Sequence, residues 1–136
     1  KNLLMKFTKS LFSLLLLFAI LLVSCSTNQS KKMENAKTLR HLVFFKFKDS
    51  ASPEEIKVIN DAFIALPESI PVIRDFEWGL NNSPENLNQD LTHCYMVTFS
   101  SEADREIYLP HPSHKAFVDK LTPILDKVVV LDYFAK

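Results

Sequence analysis

Leu39-Arg-His-Leu-Val-Phe-Phe-Lys-Phe-Lys48 is the stretch that decides the fold. Its aromatic and β-branched side chains mark a strand. At a period of two, His41, Val43, Phe45 and Phe47 share one face, while Leu42 and Phe44 lie on the other, followed by Lys46 and Lys48. Both faces are apolar over the first half, so the strand is central and covered on both sides.

Downstream, the pattern alternates. Ser52-Pro-Glu-Glu55 announces a helix, with Ser52 as N-cap, Pro53 in the first turn and Glu55 completing a capping box. Ile56, Ile59, Phe63 and Leu66 form its apolar stripe, and Pro67 and Pro71 are expected to end it. Residues 72–81 read as a second strand with Phe76, Trp78 and Leu80 on one face. Gly79, the only glycine, suggests a bulge or a close backbone approach there. A polar loop follows, then a third strand over residues 91–99, with His93, Tyr95, Val97 and Phe99 on one face and Cys94 and Met96 on the other.

Ser101-Glu-Ala-Asp104 caps a short helix that reaches Tyr108 and cannot pass Pro110. Another helix starts near Pro112 and carries His114, Phe117, Val118 and Leu121, and residues 126–134 are the last strand. The order βαββαβ predicts a ferredoxin-like α+β fold, a four-stranded antiparallel sheet with helices on one face. Helices cover one face only, and the strands are apolar on both. The simplest cover for the second is the same sheet of another subunit, so a homodimer is expected. The face carrying His41 and His93 is assigned to the interior of that barrel.

Upstream the chain reads differently. Lys1, Lys6 and Lys9 precede an apolar run from Leu11 to Val23, shorter than the roughly 20 residues of a membrane span. Residues 1–24 therefore read as an export signal. Leu22-Val-Ser-Cys25 resembles the lipobox of bacterial lipoproteins, which implies cleavage before Cys25 and its lipidation. Residues 25–38 are polar and suit a tether, which makes residues 39–136 the folded domain. The implied location is the outer side of a bacterial membrane, periplasmic or at the cell surface.

The domain is acidic, with 10 basic and 15 acidic residues from Leu39 onward, which argues against a nucleic-acid partner. One glycine leaves no phosphate-binding loop, and no serine sits in a nucleophile elbow. His111 and His114 are spaced through a proline turn with no carboxylate at ligand spacing, so neither a metal nor another cofactor is expected.

Arg40-His-Leu-Val-Phe-Phe-Lys-Phe-Lys48, Phe76-Glu-Trp-Gly79, Thr92-His93, Val97-Thr-Phe-Ser-Ser-Glu102, Tyr108-Leu-Pro-His-Pro-Ser-His114 and Leu131-Asp-Tyr133, taken together, resemble the stress-responsive dimeric α/β-barrel (Dabb) domain. The resemblance covers residues 39–134 and implies a ferredoxin-like unit whose sheets pair between two subunits. One plant branch closes a linear polyketide with a histidine base and a tyrosine. By that resemblance His114 is the candidate base and Tyr108 its partner, with His41, His93, His111 and Trp78 as candidate ligand contacts. Two functions follow. One is a stress-related module holding a small apolar or aromatic ligand. The other is a cofactor-free cyclase or lyase, or an oxygenase-like enzyme. The residues alone support capping and packing, ligand contact or catalysis for His111 and His114.

Overall fold

The computed structural model describes residues 37–136. The leader, Cys25 and the tether up to residue 36 lie outside the described residues. The chain forms β1 (Leu39–Phe47), α1 (Pro53–Ile64), α2 (Leu66–Ser69), β2 (Asp75–Leu80), β3 (His93–Phe99), α3 (Glu102–Tyr108), α4 (Pro112–Leu121) and β4 (Leu125–Phe134). The strands make one sheet in the order β2-β3-β1-β4, with every neighbouring pair antiparallel. This is the ferredoxin-like arrangement that the alternation of strands and helices predicts.

Local chemistry sets the helix ends. The Ser52 hydroxyl accepts from the Glu55 backbone N–H at 3.2 Å, and the Glu55 carboxylate accepts from the Ser52 N–H at 2.8 Å. Ser101 accepts from Asp104 N–H at 3.3 Å and starts α3 in the same way. Pro67 does not end the helical region as expected. It sits in the first turn of α2, where its missing N–H would have had no partner anyway. Gly79 marks no bulge either. The β2–β3 register runs unbroken through the Gly79–Cys94 pair, and the irregularity falls between Lys46 and Phe47 on β1.

The core lies between the sheet and the helices. Leu39, Val43, Phe45 and Phe47 of β1 and Tyr95, Val97 and Phe99 of β3 are buried against Ile59 and Phe63 of α1 and Phe117 and Leu121 of α4. Phe63 is the hub, with ring centroids 4.4 Å from Phe117, 4.6 Å from Tyr95 and 6.1 Å from Phe45. Truncating such a residue costs about 3–5 kcal/mol, because the cavity only partly collapses.

The two faces are therefore used in the opposite sense to the sequence expectation. His41 and its face-mates lie under the helices rather than on the side left for another subunit. The charges of β1 follow the same division: Arg40 and Lys46 lie on its other face, and the helices cover the face that lacks them. Leu42, Phe44, Met96, Cys94, Val129 and Leu131 are left on the open side.

Candidate functional site

The corner between α3 and α4 brings the first site residues together. α3 ends at Tyr108, Pro110 blocks its continuation, and the chain re-enters a helix at Pro112. His111 caps that helix: its Nδ1 accepts the Ser113 backbone N–H at 3.2 Å. One turn further on, His114 folds back, and its Nδ1–H donates to the Leu109 carbonyl at 2.9 Å. That bond assigns the tautomer, leaving Nε2 as the acceptor when the ring is neutral. The His114 and Tyr108 rings lie 4.3 Å apart.

Tyr108 is fully buried, and its hydroxyl has no hydrogen-bond partner in the described structure. Burial pushes its pKa well above the ordinary phenol range, so the group is a donor at neutral pH. Burial also lowers the His114 pKa, with the Leu109 carbonyl opposing and His41 and His111 adding to the lowering. A neutral, tautomer-fixed imidazole thus stands beside a buried hydroxyl that donates to nothing. Buried polar groups are nearly always paired, so an orphan of this kind points to a missing partner.

His41 enters the same corner from β1. Its ring packs edge-on to Tyr108 at 5.9 Å and lies 6.3 Å from Phe99. His41 Nδ1 donates to Asp132 Oδ1 at 2.7 Å, and Asp132 Oδ2 accepts from Arg105 at 2.6 Å. Sequence reasoning missed Asp132 and Arg105. A signal existed for the aspartate: Asp132 falls in step with Val128 and Val130 on β4, on the side that pairs with His41.

His93 is not part of this corner. His41 pairs with Val97 and His93 with Phe45, four residues along the sheet, or roughly 13 Å. His93 instead packs edge-on to Phe47 at 4.9 Å, contacts the Thr92 hydroxyl at 2.8 Å, and has its pKa lowered by burial. Trp78 belongs to that second end, stacked on Tyr95 at 6.2 Å and 44% exposed. The four histidines thus divide into a pair that flanks Tyr108, a helix cap and a distant aromatic cluster. Among the described residues no three His, Cys, Asp or Glu side chains group as a metal ligand set.

The open side of the sheet is concave, with a volume of about 620 Å³ between Leu42, Phe44, Met96 and Leu131 and the loop carrying Leu87. Cys94 lies there as a free, half-buried thiol whose pKa is raised by burial.

Residues 39–135 match the model of the Stress responsive A/B Barrel Domain family, Dabb. The chain belongs to the Dabb family. This Dabb protein is 38% identical over 102 residues to the stress-response A/B barrel domain-containing protein HS1 of Arabidopsis thaliana, spanning 74% of this chain and 94% of that protein. It is 30% identical over 95 residues to olivetolic acid cyclase of Cannabis sativa, spanning 70% and 94%. Among solved structures, a hydroxynitrile lyase from Passiflora edulis superposes with a TM-score of 0.70 at 29% identity, over 74% of this chain and 95% of the lyase. A dimeric protein of unknown function from Bacteroides fragilis, also ferredoxin-like, matches with a TM-score of 0.60 at 30% identity, over 72% and 96%.

Proposed function

We propose that this Dabb protein is a cofactor-free acid–base enzyme acting on a small, largely apolar carbonyl compound, with His114 as base and Tyr108 as the oxygen-binding donor. The unpartnered Tyr108 hydroxyl beside His114 carries the reading. The substrate oxygen takes the hydrogen bond that Tyr108 lacks. His114 Nε2 removes a proton from the adjacent carbon: the C–H bond breaks, N–H forms, and the electron pair moves to the oxygen as an enolate held by Tyr108. Return of the proton, or attack of the enolate carbon on a second carbonyl, completes the reaction. Similarity to a cyclase and to a hydroxynitrile lyase supports the class.

The test is α-proton exchange in D2O, followed by NMR over a panel of methyl ketones and 1,3-dicarbonyls. Exchange catalysed by the wild type should fall about 100-fold or more in His114→Ala. Absence of exchange in the wild type, or its survival in the variant, overturns the proposal. The concave open side favours a second reading, a stress-related module that holds an apolar ligand without turnover. Native mass spectrometry of co-purifying small molecules separates the two.

On the same reading the protein is a homodimer whose open sheet faces meet, as supported by the dimeric Bacteroides fragilis relative. Lipidation of Cys25 anchors it to the outer side of a bacterial membrane, a reading supported by the leader and lipobox-like residues. Cys25→Ala should move the protein out of the membrane fraction; unchanged membrane association sinks the anchor.

A further inference from the structure

We infer that Arg105 is a positioning residue that, through Asp132, holds His41 in one tautomer and orientation against Tyr108. Three elements converge to make the arrangement. Arg105 comes from α3, one turn before Tyr108; Asp132 comes from the edge strand β4; His41 comes from the central strand β1. Each carboxylate oxygen has its own partner, Oδ1 with His41 at 2.7 Å and Oδ2 with Arg105 at 2.6 Å.

The burial gradient makes the order of action clear. The His41 side chain is 7% exposed, that of Arg105 22% and that of Asp132 29%. His41 is held by its neighbours rather than by water, whereas the Asp132 carboxylate is partly open to solvent on an edge strand. Arg105 Nη1 holds the second carboxylate oxygen with one charge-assisted hydrogen bond, which restricts how Asp132 can turn. Its other acidic neighbour, Glu102, is 4.0 Å away and does not compete at hydrogen-bond distance. With Asp132 fixed, the His41 ring keeps a proton on Nδ1, facing the carboxylate. The 5.9 Å packing of its ring against Tyr108 is thereby set in place.

Among the described residues the polar contacts of Arg105 are Asp132 and, at 4.0 Å, Glu102, so it acts on His41 through Asp132. Its consequence for chemistry rests on the proton-transfer reading of Tyr108 and His114, but its hold on His41 does not. The two can therefore fail separately.

The experiment is long-range 1H–15N correlation of the imidazoles at pH 8 in the whole protein, wild type against Arg105→Met and Arg105→Lys. In the wild type His41 should give the pattern of a single Nδ1–H tautomer. Arg105→Met should convert it to a mixture of tautomers or broaden it, while His114, held by the Leu109 carbonyl, keeps its pattern. Arg105→Lys, which retains the charge but not the fork, should give an intermediate result, and it decides the matter if the methionine variant does not fold. An unchanged His41 pattern in whichever of these variants folds overturns the inference, whatever the proton-exchange assay shows.

Discussion

Tyr108 has lost water on folding and gained no partner for its hydroxyl. Such a group destabilises the fold while it stands empty. Tyr108→Phe should therefore keep or raise stability by about 1 kcal/mol in urea unfolding, while carbonyl-compound exchange collapses. Lower stability in that variant would mean that the hydroxyl is satisfied in solution. His114 and His93 make a second prediction. Burial lowers both folded pKa values from the ordinary 6.5, so below that value the unfolded chain binds more protons than the folded one. Their stability contribution is complete above about pH 6.5 and drains away as pH falls through the folded values. The unfolding midpoint should fall with pH in that window, and the fall should shrink in a His114→Gln, His93→Phe double variant. Proton exchange by His114 should likewise rise with pH to a plateau, with its midpoint below 6.5.

Among the elements, α4 shows how one histidine can be explained without catalysis. His111 caps it through the Ser113 N–H, a job that serine or asparagine does as well. His111→Ser should be near neutral, and His111→Ala should cost about 1 kcal/mol by thermal unfolding. Catalysis surviving in both would leave His111 a cap alone. Helix starts of this kind were legible because caps are local: Ser52, Glu55 and Ser101 lie within a few residues of the groups they satisfy. Strand periodicity was equally legible, since alternate side chains share a face whatever packs there. The partnership of His41, Asp132 and Arg105 was not, because 91 residues separate the histidine from the aspartate, and only the β1–β4 register joins them.

At the scale of the whole molecule, the open sheet face is the main unfinished surface. Leu131 is 56% exposed there, with Leu42, Phe44 and Met96 half-buried beside it. An apolar sheet face of this kind calls for a cover. Residues 38–136 should sediment as a dimer, and Phe44→Glu combined with Leu131→Glu should give a folded monomer. A wild-type monomer, or a variant that stays dimeric, would place the interface elsewhere.

The ferredoxin-like order, the helix caps, the two-faced strands and the family likeness were all determined by sequence, because each follows from local spacing and alternation. Which face the helices cover was a tertiary decision, taken by matching the apolar stripes of α1 and α4 to the side of β1 without charged ends. So was the sorting of the four histidines. A strand pattern tells which residues share a face, but only the pairing register tells how far apart they stand, and it sets His93 about four residues from His41. Tyr108 could be singled out from the chain. That its hydroxyl lacks a partner is a property of everything packed around it.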